Sequence, residues 1–338
     1  MSKVIICIHG LGNKPHKKLL TKWWRTSIQE GLRGIGKYFI RLKIEMVYWA
    51  DLLYLRPLDE NITDPKNELY LCERYYKSTK NYKPKSNITR RKILDFIEKQ
   101  IDRLFLNEDQ SVNYSFISDF IIHKYFKDLE IYYSDKCNDG EKELKRIAIR
   151  KRFIDTLDKH KNDEILLIAH SMGTIIAYDV LWLKLTETKI DTFITIGSPL
   201  GIPIVISKIA QEYKIQFQQT KKLAVPEAVR SKWYNFSDLE DKVASNYNLA
   251  DDYEPNGKGI QPTDFIVTND YFIDGERNPH KAYGYLRTRE LAKTIYEFLI
   301  QGKPKIIIWV FELINKLIET SHVHLKKHFI KNWKNNFG

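Results

Sequence analysis

The sequence predicts an α/β protein, built as a mostly parallel sheet with helices on both faces. Short apolar runs recur at residues 4–8, 164–169, 192–196 and 233–236, the length of buried strands. Longer stretches with helical spacing separate them, and strands alternating with helices imply parallel strands joined by crossover helices. The third observation is Ser171, which stands where one apolar run turns directly into a helical pattern.

Length and composition fit this class. A chain of 338 residues can bury a sizeable core, and 43% hydrophobic with 29% charged residues describes an ordinary globular protein. The net charge of +12 favours anionic partners, either a membrane surface or nucleic acid. No nucleic-acid-binding motif accompanies it. Lysine is interleaved with Asn and Ile, so compositional bias accounts for much of the charge. Three scattered cysteines (Cys7, Cys72, Cys137) imply neither a disulfide framework nor a zinc site. The chain opens on a strand that the fold needs rather than on a cleavable leader, and cytoplasmic residence is expected.

Taken in order, residues 4–8 read as a buried strand ending in His9-Gly10-Leu11-Gly12-Asn13. A helix is expected over 18–32, closed by Gly34 and Gly36. Residues 39–49 read as a second strand, followed by Asp51. The Tyr- and Lys-rich stretch 52–137, broken by Pro57, Pro65 and Pro84, is too long for a simple loop. It reads as a mostly helical insertion with a helix near 91–106, placed to act as a lid over the core. Leu144, Ile147, Ile154 and Leu157 give the next helix its expected core face. The strand 164–169 leads through Ser171 into an amphipathic helical pattern. Strands 192–196, 233–236 and 264–268 follow, and then a helix over 282–300. The core thus comprises residues 1–51 and 138–300, with a basic helical tail at 301–338. The tail's apolar run starting at Ile306 is far shorter than the roughly 20 residues that span a bilayer. It reads as a helix docked on the body or on a partner, or as one lying on an anionic membrane surface.

The chemistry starts at Ala169-His170-Ser171-Met172-Gly173. A serine at a strained strand-to-helix turn, with small residues on either side, has the layout of a nucleophile elbow. A serine hydroxyl is a weak nucleophile and needs a base. Of nine histidines, only His280 follows a late strand within the body, where the topology returns a loop over the serine. The imidazole needs an acid to fix its tautomer. Asp241 and Asp238 both follow the 233–236 strand, giving the chain order Ser, Asp, His; Asp241 is preferred and Asp238 is the alternate acid. Two backbone amides would receive developing oxygen charge: Met172, after the nucleophile, and Leu11, where Gly10 lets the loop turn sharply. No cofactor or metal is expected. The calcium-loop-like run from Asp252 is interrupted by Pro255 and carries Thr263 where a bidentate Glu is needed.

Ile8-His9-Gly10-Leu11-Gly12-Asn13, the run from Ala169 to Leu181, and Ile196-Gly197-Ser198-Pro199-Leu200-Gly201 together resemble the α/β-hydrolase superfamily. They are most similar to its lipase and serine esterase branch, including DDHD-type phospholipases and inositol deacylases. The resemblance covers about residues 3–50 and 163–300. It implies a serine hydrolase acting on a small-molecule or lipid ester. The lid-like insertion and the basic tail lean the substrate toward an acyl lipid and the chain toward peripheral contact with an anionic membrane, and no nucleic-acid partner is expected. An acyltransferase using the same residues, and a non-catalytic scaffold on the same fold, are the alternatives.

Overall fold

The computed structural model describes residues 2–78, 132, 140–183, 187–213, 222–244 and 246–320. In chain order the elements begin with β1 (Lys3–Ile8), α1 (Lys17–Gly34), β2 (Ile44–Val47) and α2 (Gly140–Lys159). Then come β3 (Glu164–His170), α3 (Met172–Trp182), β4 (Ile190–Ile196), α4 (Pro203–Glu212), β5 (Leu223–Ala224) and β6 (Val229–Ser237). The chain continues through β7 (Tyr253–Glu254), β8 (Pro262–Ile266), β9 (Phe272–Ile273) and β10 (Glu276–Arg277) to α5 (Ala282–Leu286) and α6 (Arg289–Ile300). A last helix, α7, covers 305–320.

Six strands form one parallel sheet in the order β2-β1-β3-β4-β6-β8. Side chains alternate across it, as strand geometry demands. Val4, Ile6 and Ile8 of β1, with Ile165, Leu167 and Ala169 of β3, face the layer that holds α2, α3 and α4. Ile5 and Cys7, with Leu166 and Ile168, face α1, α5 and α6. Because both faces are covered, these strands are apolar at every position from Val4 to Ile8 and from Ile165 to Ala169. Each fully buried aliphatic side chain contributes about 1.5–3 kcal/mol. This is the α/β-hydrolase-like architecture.

The strand order positions the site. From β1 the chain crosses through α1 to β2 on one side, and later through α2 to β3 on the other. Because α1 and α2 lie on opposite faces, the connections diverge above the carboxyl ends of β1 and β3, where a crevice opens.

Several elements differ from their sequence expectation. The strand expected at 39–49 is confined to Ile44–Val47. Pairing begins only where Ile44 meets Ile5, and the amides of Tyr38 and Phe39 donate instead to Asn315 Oδ1 of α7 at 2.7 and 2.8 Å. The helix after Ser171 is not amphipathic, since every residue from Met172 to Leu181 is buried. In α2 the buried residues include Ile149, Phe153 and Leu157, whereas Leu144 and Ile147 are exposed. The helix expected over 282–300 is two helices, because Thr288 is extended (φ −60°, ψ 149°) and begins α6 afresh. β8 starts earlier than expected, on Pro262, a position an edge strand tolerates because no ladder donor is lost at its first residue. Leu52 closes a 3-10 turn (Ala50–Leu52), and residues 53–78 form turns and isolated bridges rather than helix. The helix expected near 91–106 lies outside the described residues.

Candidate active site

The crevice between β1 and β3 is occupied by Ser171. Its backbone is left-handed (φ 55°, ψ −130°), which among the described non-glycine residues is shared in sign only with Asp274. Such strain costs about 1–3 kcal/mol and persists only where the surroundings over-determine it. Here they do: the Ser171 amide donates to Ile196 O at 3.2 Å, and the Thr174 amide and hydroxyl donate to Ser171 O at 2.8 and 2.7 Å.

Glycines flank the serine because backbones come too close for a side chain. A Cβ on Gly10 would lie 2.7 Å from Ser171 Cβ, and one on Gly173 would lie 2.7 Å from His9 O. This corrects the expectation that Gly10 serves a sharp turn: the left-handed residue of that loop is Gly12, at φ 78°. Ala169 needs no such allowance, since its methyl packs fully buried on the α3 side of the sheet.

His280, between β10 and α5, returns over the serine. Its Nε2 lies 3.0 Å from Ser171 Oγ, and its Nδ1 lies 2.9 and 3.0 Å from the two Asp241 oxygens. Asp241 follows β6, and its side chain has no solvent exposure. It accepts the Val243 amide at 2.9 Å and the Tyr285 hydroxyl at 2.8 Å. With a carboxylate on Nδ1, the proton sits on that nitrogen, so Nε2 is the acceptor facing the serine hydroxyl. Gly197 makes room for the pair. At φ 54°, a Cβ there would stand 2.9 Å from Asp241 Oδ2 and 3.2 Å from His280 Nδ1.

Asp238, the alternate acid, is not brought to His280. It accepts the Glu240 and Asn269 amides at 2.8 and 2.7 Å and pairs with Arg277. Burial raises its pKa against the effect of those donors. Leu11 follows Gly10 directly and is packed, partly buried, against the core. Met172 opens α3, so its amide is one of the first-turn donors that lack an intrahelical carbonyl.

Two further histidines hold the frame. His9 is buried against Trp49, with rings stacked at 4.8 Å. Its Nε2 accepts the Trp49 amide at 3.1 Å, so its Nδ1 donates to Gly10 O at 2.8 Å. Burial, with Lys14 nearby, lowers its pKa to about 3. His170 donates from Nε2 to His280 O at 2.7 Å. Burial and the neighbouring His280 ring keep its pKa well below the usual value. Both rings are therefore neutral.

The sequence reading missed Asn269 and Tyr285. Asn269 Nδ2 donates to Pro279 O and Lys281 O, both at 2.8 Å, on either side of His280. Gly284 is the trace of that packing, since a Cβ there would meet Asn269 Oδ1 at 1.6 Å. The Tyr285 hydroxyl accepts the Asp238 amide at 2.9 Å while donating to Asp241. Among the described residues no helix is long and apolar enough to cross a membrane.

The search of curated proteins returns no match. The family model described as PGAP1-like alpha/beta domain matches residues 98–241, less than half of the chain. That span contains Ser171, Asp238 and Asp241 but neither Leu11 nor His280. The matched family is of the GPI inositol deacylase-like kind, and no corresponding support exists for the DDHD-type comparison. Over residues 98–241 the chain is similar to an α/β-hydrolase-type family, in agreement with the sheet described above.

Proposed function

We propose that the protein is a serine hydrolase that cleaves carboxylic esters through an acyl-enzyme on Ser171. One observation carries the reading: the continuous path from Ser171 Oγ through His280 to Asp241, with contacts of 3.0 and 2.9 Å. His280 Nε2 accepts the serine proton as Oγ attacks the ester carbonyl. Asp241 holds the imidazole in the tautomer this requires and stabilises the imidazolium. The amides of Leu11 and Met172 receive the oxyanion. Collapse expels the alcohol, which takes the proton back from His280. Water, activated by the same imidazole, then releases the acid. No step calls on a cofactor. The strain at Ser171 and the buried acid support a working site over a scaffold role, since neither helps a passive fold.

An acyl lipid is the substrate class we favour. The similarity to the PGAP1-like family supports it, as do the net charge of +12 and the exposed Ile306, Trp309 and Leu317 of α7. Peripheral contact with an anionic membrane belongs to the same proposal. The test is a fluorophosphonate probe with ester and phospholipid profiling of wild type beside Ser171→Ala. Wild type should label at Ser171, and the variant should lose at least about a thousandfold in turnover. Absence of labelling in folded wild type would refute the hydrolase.

A further inference from the structure

A second carboxylate faces the His280 loop. The chain leaving β2 passes back over the site end of the molecule, and there Glu73 bridges the two sides of His280. Its Oε1 accepts Asn278 Nδ2 at 3.1 Å, and its Oε2 pairs with the Lys281 ammonium. Asn278 in turn accepts the His280 amide on its Oδ1 at 3.2 Å.

The segment around Glu73 is fastened over its length. Tyr75 Oη donates to Glu30 of α1 at 2.8 Å, and the Arg287 guanidinium donates to Tyr76 O at 2.6 Å. Ser78 Oγ donates to Asp270, and the Tyr75 ring meets Tyr283 edge-on at 5.8 Å. Residues 71–78 are thus a strap across the 270–287 segment, with Glu73 at the point where the strap meets His280.

We infer that Glu73 is a positioning residue, which fixes the His280 loop through Asn278 and Lys281 and adds a second negative charge near the ring besides Asp241. The inference rests on the proposed hydrolase. Its electrostatic part follows from what surrounds the imidazole. Asp241 pairs with its Nδ1, Glu73 interacts with it electrostatically, Lys14 and Lys281 act on both Glu73 and the adjoining His170, and His170 is neutral. Burial works to raise the Glu73 pKa, but Lys281, Lys14 and His280 lower it below the ordinary value, so the carboxylate is charged. Fixed negative charge near the ring favours the imidazolium that forms when Ser171 gives up its proton.

The test uses the full chain with histidine-selective nitrogen labelling. The His280 ring titration is read by NMR in wild type, Glu73→Gln and Lys281→Met, beside turnover of a p-nitrophenyl ester. Glu73→Gln should move the His280 titration down by about half a pH unit, and Lys281→Met should move it up. In Glu73→Gln, kcat should fall about tenfold with KM unchanged, with Glu73→Asp recovering part of the loss. A His280 titration that is unmoved in Glu73→Gln, or that moves the same way in both variants, overturns the inference. Failure of the hydrolase itself shows separately, as wild type that turns over no ester and takes no probe at Ser171. The ring titrations still decide the role of Glu73 in that event.

Discussion

Tyr285 is fully buried, with its hydroxyl shared between two acids of one loop. Removing that hydroxyl leaves the Asp238 amide without its partner and Asp241 with one donor fewer. A buried unsatisfied donor costs about 1–3 kcal/mol, so Tyr285→Phe should lower the urea midpoint accordingly. On the proposed reaction it should also reduce kcat several-fold with KM held; an unchanged kcat would remove Tyr285 from the site. The buried histidines predict a pH effect whose sign is fixed. His9 is held near a pKa of about 3 when folded, whereas an unfolded histidine titrates near 6.5. Between those values the unfolded chain binds a proton that the folded one refuses, so stability is complete above about pH 6.5 and falls on acidification. The slope is about 1.4 kcal/mol per pH unit for each such histidine, and His170 acts in the same direction. The melting temperature should therefore drop steadily from pH 7 to pH 5, and less steeply in His9→Gln; parallel slopes would contradict a neutral His9. At this scale the convergence of Ser171, Asp241 and His280 was legible because each lies within a few residues of a strand end or a helix start, in a fixed chain order. Tyr285, Asn269 and Glu73 were not, because their partners come from contacts distant in sequence that no local pattern encodes.

Behind the site, α2, α3 and α4 meet around a buried charge. Asp179 of α3 has no solvent exposure, receives Arg150 of α2 at 2.9 Å, and accepts the Tyr213 hydroxyl at the end of α4. Arg150 Nε also donates to Tyr132 Oη at 3.1 Å. Taking away one partner of such a pair leaves a charge stranded in the core, at a cost of about 3–5 kcal/mol. Arg150→Met should be destabilised by that amount in denaturant unfolding, and Arg150→Met with Asp179→Leu should recover most of it. A single variant as stable as wild type would show that the pair contributes nothing. The same arginine explains why α2 was misread in the sequence. Its buried face includes Ile149, Phe153 and Leu157 together with the largely buried Arg150, so a charged residue interrupts the apolar stripe. Counting apolar positions alone drew in Leu144 and Ile147, which are exposed. In α3 the opposite happened, because a helix buried on all sides presents no polar face from which to read a period. The strands were the legible elements, since burial on both sides of a parallel sheet leaves runs with almost no polar residue.

Across the described residues, exposed apolar surface is distributed unevenly, and α7 concentrates it. One side of it docks: Lys37 pairs with Glu312, Asn315 takes the amides of Tyr38 and Phe39, and Phe311 lies 6.3 Å from Phe39. The other side leaves Ile306, Trp309, Val310, Leu313 and Leu317 exposed, beside Lys303 and Lys305. The sequence showed both tendencies in the tail, but not where it would dock, because the acceptor for two backbone amides comes from a residue some 276 positions away. Residues 37–39 join the far end of α1 to the start of β2, so this contact lies at the sheet edge opposite the carboxyl ends that hold Ser171. Among the described residues α7 therefore does not build the pocket, and removing the tail should separate membrane contact from chemistry. Cutting the chain after Gly302 should leave turnover of a soluble ester within about twofold, since the described residues of α7 contact none of those around Ser171. Co-sedimentation with phosphatidylserine vesicles should fall sharply, and the wild-type interaction should weaken as salt is raised from 0.1 to about 1 M, where the screening length shrinks to about 3 Å. Equal vesicle binding by the intact and shortened chains would show that α7 is not the contact. Loss of soluble-ester turnover with vesicle binding kept would reverse the assignment and place the membrane surface at the Ser171 end of the sheet.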